Sequence, residues 1–145
     1  MSFRALLVCL LILLPGVVAA GQQLVLVSAN ECPATEISML DVRKAYLGIG
    51  VELSGYPVRA FRLLGDETVV QLFFQNIVAM SEKSYERRVL SLVLKYGTPR
   101  PRGFDSVNEL AAALRSRKCS IGYMWRRDAD SLSDLQIIKV LWQQN

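Results

Sequence analysis

Apolar residues recur along this chain in two rhythms, and the switches between them mark its elements. From Gly103 to Met124 the sequence GFDSVNELAAALRSRKCSIGYM predicts a loop, a short helix and a strand in direct succession. Val107, Leu110, Ala113 and Leu114 fall on one helical stripe; Ser106 stands where an N-cap side chain accepts a backbone hydrogen bond, and Glu109 can reach back to it. Arg117 and Lys118 suit the negative end of that helix. Ser120 to Met124 then reads as a strand whose central Gly122 has no side chain to hold off a neighbouring backbone.

The earlier chain reads the same way. Leu24 to Ser28 (LVLVS) is an apolar strand, and Asn30 to Thr35 has turn composition. Ser38 with Asp41 opens a helix that places Met39, Val42 and Tyr46 on one face and stops at Gly48 and Gly50. Gly55-Tyr56-Pro57 leads into a second strand ending near Leu64, with Phe61 and Leu63 inward. Asp66 or Glu67 begins a helix to about Met80 that buries Val69, Leu72, Phe73, Asn76 and Ile77. Another, from about Ser84 to Tyr96, turns Val89, Leu92, Val93 and Tyr96 inward and ends at Gly97. The prolines of Thr98–Gly103 (TPRPRG) predict a surface loop. After Met124 come a charged turn, Trp125 to Asp128, and a last strand, Ile137 to Trp142, in the same sheet. Strands separated by helices predict an α/β domain, a mixed sheet flanked by helices.

The first 20 residues change the setting. Arg4, an apolar run from Ala5 to Leu14 and the small-residue exit Val18-Ala19-Ala20 follow the plan of a secretory signal peptide cut after Ala20. The alternative is an uncleaved anchor, against which the run is shorter than the ~20 residues that span a bilayer. Cys9 lacks the small residues of a lipoprotein site before it. The expected product is residues 21–145, one periplasmic domain that does not span the membrane. Of 17 basic residues only Arg4 lies in the leader, so 16 basic face 13 acidic side chains, a net charge of +3. That balance and the export signal argue against nucleic acid as a partner.

Export also sets the context for Cys32 and Cys119, because the periplasm is oxidising. Their sulfurs can meet only if the strands beside them run antiparallel and adjacent; otherwise both are buried free thiols. A bridge would close a loop whose chain-entropy contribution is about 4–5 kcal/mol before native strain. With no histidine and only two of its three cysteines outside the leader, neither a zinc set nor another metal site is expected. The chain also lacks the commonest general base, a Gly-x-Ser-x-Gly elbow and a Walker loop, so the sequence predicts no enzyme and no cofactor.

Three of these segments, in order, resemble one family. LVLVS followed by SMLDVRKAYLG (Ser38–Gly48), then PVRAFRLL (Pro57–Leu64), then the helix and SIGYM strand, are similar to phosphate-type ABC transporter substrate-binding proteins. The resemblance implies a single lobe of the type 2 periplasmic-binding fold. It further implies recognition of a small, phosphate-like anion and a membrane transporter or sensor protein as partner. The family's anion loop resembles R-x-D-G-S-G-T, an arginine and hydroxyls at a helix N-terminus. Here it corresponds to Arg62-Leu63-Leu64-Gly65-Asp66-Glu67-Thr68. Arg62, Gly65 and Thr68 match in kind, whereas Asp66 and Glu67 put carboxylates where the anion would sit and can cap the helix themselves.

Two functions therefore stand side by side: weak binding of a small anion, or a ligand-free module that docks on an envelope or sensor protein. Arg100, Arg102, Arg126 and Arg127, with Arg115, Arg117 and Lys118 nearby in sequence, form a candidate anion or partner surface if they converge. The alternative for them is a solvated rim. Trp125 and Trp142 read as core edge or interface anchors.

Overall fold

A mixed layer of strands runs through the structure, a computed structural model that describes residues 21–145; the predicted signal peptide and its cleavage site fall on residues 1–20, outside the described residues. At its centre, β1 (Gln23–Ala29) pairs antiparallel with β6 (Gly122–Trp125) on one side and β7 (Leu135–Gln143) on the other. Leu24 to Val27 are fully buried, which explains why this strand is a continuous apolar run with no alternation. Next to β6 lies β4 (Phe61–Leu63), joined by a parallel bridge between Ala60 and Ile121. There Phe61 N–H donates to the Ile121 carbonyl and Ile121 N–H to that of Arg59, both at 2.8 Å. β5 (Arg102–Phe104) runs parallel to β4 at the margin, giving the order β5-β4-β6-β1-β7. The Leu24 and Ile121 segments thus share one layer, as predicted.

Helices cover both faces. On one side α4 (Val107–Ser116) packs Leu110 against Gly122, where an added Cβ would come within 2.9 Å of Leu110 Cδ1. The glycine accommodates a side chain rather than the backbone that the sequence implied. The next residue, Tyr123, faces the opposite side and stacks on Phe73 at 5.4 Å, beside Tyr46 at 5.5 Å. Those partners come from α1 (Met39–Tyr46) and from a π-helical turn, Phe73–Ile77, that prolongs α2 (Glu67–Leu72). The long α3 (Glu82–Tyr96) adds Tyr85, with Phe73 at 5.2 Å. A small hairpin, β2 (Glu52–Leu53) with β3 (Tyr56–Pro57), turns through Ser54 and Gly55 outside the main layer.

The caps follow the sequence. Ser38 Oγ accepts from Asp41 N–H at 3.1 Å and Ser106 Oγ from Glu109 N–H at 3.2 Å, while Gly97 closes α3 in the left-handed conformation. Several expectations need correction. Arg102–Phe104 is a strand, too short for alternation to reveal after two prolines. The charged turn is a short helix, α5 (Arg126–Asp130). The predicted helix to Met80 ends at Ile77, and the predicted second strand divides, Pro57 pairing in the hairpin and Phe61–Leu63 in the layer. Tyr96 is exposed because the core ends before the last turn of α3, whereas Tyr85 near its start is buried.

Cys32, just after β1, is bonded to Cys119, just before β6, with their Cα atoms 4.8 Å apart. Antiparallel pairing of β1 with β6 brings these positions to one end of the layer, the geometry that the bridge requires. No helix among the described residues is long and apolar enough to cross a membrane.

Candidate functional site

The loop from β4 to α2 holds most of the predicted anion site, and the protein fills it with its own groups. Leu64 N–H donates to the Phe104 carbonyl at 2.8 Å, drawing the loop onto the end of β5. Gly65 lies so close to Asp105 that an added Cβ would stand 1.8 Å from the Asp105 carbonyl oxygen. Asp66 then caps α2: Oδ1 accepts from Val69 N–H at 3.1 Å, and Oδ2 accepts from the Trp125 indole N–H at 2.9 Å. Burial alone would raise the Asp66 pKa; the hydrogen bonds from Trp125, Val69 and Thr68, with Arg127 nearby, outweigh it and hold the carboxyl below its ordinary value. Glu67 and Thr68 stand exposed in the first turn.

Arg62 does not join this loop. Its guanidinium lies 4.4 Å from the Phe73 ring centroid, 5.1 Å from Tyr85 and 5.3 Å from Phe74, and its Nη1 is 3.8 Å from Glu86 Oε1. An aromatic box with a carboxylate at its mouth surrounds the cation on the helical face, away from the end of β4, and leaves its Nε buried without a hydrogen-bond partner among the described residues. The structure therefore brings Gly65, Asp66, Glu67 and Thr68 together without the arginine that the sequence pattern set beside them. Tyrosines complete the box: Tyr46 Oη donates to the Phe61 carbonyl at 2.9 Å and Tyr85 Oη to that of Tyr46 at 2.7 Å. Burial raises the Tyr46 pKa well above normal and pushes Tyr85 up to about 12, so both remain hydrogen-bond donors at neutral pH.

The candidate arginines separate into two groups. Arg126 donates to the Gln23 side-chain oxygen, and with Arg127 it follows the end of β6, on the same side as Asp66. A hollow of about 340 Å³ there is lined by Gln23, Trp125, Arg126, Arg127 and Asp130. Arg100 pairs with Glu86, and Arg102 lies over the Phe104 ring at 5.1 Å, both near the start of β5. Since β4, β5 and β6 run parallel, the two pairs occupy opposite ends of the strands and do not converge. Arg115 pairs with Asp134 on the exposed side of α4. Trp125 is buried and Trp142 half-buried, their rings 6.1 Å apart edge to face.

The sequence reading missed a larger feature. A groove of about 1140 Å³ opens beside β4 and β5, between the end of α1, the proline loop and α4, and Arg59 and Arg117 join Arg100 and Arg102 along it. A cue existed in the basic residues around Pro57–Phe61 and Pro99–Arg102, but only the fold brings those stretches together. Among the described residues no group of three or more His, Cys, Asp or Glu side chains is placed to hold a metal ion.

No sequence-family model and no curated protein matches this chain. Solved structures do match its fold. A possible phosphate binding protein from Planctomyces limnophilus aligns over 83% of this chain and 42% of its own, with a TM-score of 0.57 and 15% identity. PstS from Borrelia burgdorferi aligns over 83% of this chain and 47% of its own, with a TM-score of 0.60 and 14% identity. The chain therefore has the mixed α/β fold of such binding proteins and spans less than half the length of either structure.

Proposed function

We propose that this protein is an exported, non-catalytic lobe of the solute-binding type, whose Asp66–Arg127 end docks on a membrane transporter or sensor protein instead of enclosing an anion. The observation that carries this reading is the Asp66 carboxylate, which takes the Val69 N–H and the Trp125 indole N–H for itself. An incoming phosphate would have to displace that carboxylate or lie against it, and like charges at contact repel. The basic Arg126 and Arg127 beside the hollow leave this end suited to a partner's acidic groups. The fold and the disulfide fit a periplasmic protein. Weak small-anion binding at the same end is the second reading, favoured by Arg126, Arg127 and a neighbour described as a possible phosphate binding protein.

A thermal-shift series with phosphate, sulfate and molybdate separates the two. A true ligand stabilises by RT ln(1 + [L]/Kd), so docking without ligand predicts no shift at millimolar anion, and a saturable phosphate shift decides for anion binding. The Asp66→Ser/Glu67→Gly variant removes both carboxylates and is expected to gain a phosphate-dependent shift. If it stays unresponsive, this loop is not the remnant of an anion site. A photo-crosslinker at Arg127 is expected to capture a membrane protein in cells, while one at exposed Leu94 is not; equal capture at both positions counts against docking through this end.

A further inference from the structure

The groove at the β4–β5 margin has a size, shape and charge order of its own. At about 1140 Å³ it exceeds the ~300–1,000 Å³ typical of small-molecule pockets. Its surface includes apolar Val58, Phe61 and Phe104. The walls are already fixed: Thr98 Oγ1 donates to the Gly48 carbonyl at 2.6 Å, Val58 N–H donates to that of Val51 at 2.8 Å, and Arg100 pairs with Glu86. Pro99 and Pro101 stiffen the loop between them.

Strand register orders the charges. Arg59 precedes β4 and Arg117 follows α4, at one end of the groove; Asp105 and Glu109, after β5 and in the first turn of α4, stand at the other. Arg59, Arg102 and Arg117 make no ion pair among the described residues. Among the described residues β5 pairs with β4 alone, so its outer edge has no strand partner.

We propose that this groove receives an extended segment of a partner protein, added along β5, with acidic side chains against Arg59 and Arg117 and apolar ones on the surface formed by Val58, Phe61 and Phe104. Strand addition supplies main-chain hydrogen bonds, and the guanidinium forks select carboxylates. A small anion would leave the apolar surface unused. A nucleic-acid strand following the groove would carry its phosphates past Asp105 and Glu109, where like charge opposes it. Its basic end, Arg59 and Arg117, lies at the end of the strands opposite Asp66, and the proposal stands or falls independently of the docking proposed there.

The test is fluorescence anisotropy with the purified protein and a labelled peptide of about ten residues, valines alternating with glutamates in one half and with threonines in the other, made in both orientations so that the glutamates can meet Arg59 and Arg117 and the threonines Asp105 and Glu109. Binding is expected, weakening several-fold as salt rises from about 50 to 500 mM, and the valine–lysine counterpart is expected not to bind. Arg59→Glu/Arg117→Glu is expected to cost at least about tenfold in affinity by charge. Ala112→Trp, which narrows the groove from α4 without changing charge, is expected to cost as much by blocking it. Arg87→Glu/Arg88→Glu, exposed on α3 and outside both sites, is expected to leave affinity unchanged, and circular dichroism melts confirm that each variant folds. The proposal is overturned by no binding at millimolar peptide, by equal binding of the lysine peptide, by preferred binding of an oligothymidylate, or by an equal loss in the Arg87/Arg88 variant.

Discussion

The two ends of the strand layer hold similar inventories and use them in opposite ways. At the end where β4 and β6 finish, Asp66 and Trp125 satisfy one another, and Gly65 lets the loop close on Asp105. At the end where β4 begins, Arg59 and Arg117 stand along an open groove with no acidic partner among the described residues. Even the staples differ: hydrogen bonds to one carboxylate hold the first end, and the Cys32–Cys119 bond holds the second. The contrast teaches how to read a polar group for function. One whose bonding capacity is met inside the chain contributes to folding, and one held in place but left unpaired is available to a partner.

The largest expected effect breaks the covalent side of this contrast. Replacing both Cys32 and Cys119 by serine, or reducing them, frees a loop with a sequence separation of 87, for which the chain-entropy model assigns about 4–5 kcal/mol. Denaturant unfolding should show a loss of that order, and a loss under about 1 kcal/mol would mean that the bond does not anchor the groove end. Next comes the close approach at the other end. Gly65→Ala drives a methyl into the Asp105 carbonyl at 1.8 Å, so the loop must shift at a cost of about 2–3 kcal/mol. A variant as stable as the parent would show that the loop is not pinned there.

Much of this contrast was legible in the sequence at the first end and little at the second. The helix over Val107–Ser116, the strand after it and the self-capping Asp66 rest on local rules of cap, period and charge, and each was found where those rules put it. Arg62 was assigned to the wrong neighbours because its box is assembled from Phe73, Phe74 and Tyr85, and adjacency in sequence to Gly65 says nothing about which face a strand residue takes. The groove escaped for the same reason: its walls come from four separate stretches. A strand as short as Arg102–Phe104 carries no period, yet it forms the edge on which the groove depends.

The smallest expected effect sharpens the contrast most, because of the two staples only the Asp66 carboxylate titrates. Asp66 is held below its ordinary pKa near 3.8, so its contribution to stability is fully present above the unfolded value and disappears as pH falls through the lower folded value. Asp66→Asn keeps the shape and removes the charge; at pH 7 it weakens two charge-assisted hydrogen bonds, at a cost of about 1–2 kcal/mol. As pH falls through the lowered folded value the native carboxyl becomes neutral as well, and the two melting curves should draw together. The Cys32–Cys119 bond does not titrate, so in the same buffers the double serine variant should stay below the parent by a nearly constant margin. If the Asp66→Asn deficit instead stays flat until the parent itself unfolds in acid, the carboxylate holds no charge-dependent bond. The loop would then be free to admit an anion, and the distinction between a self-satisfied end and an available one would fail at its first member.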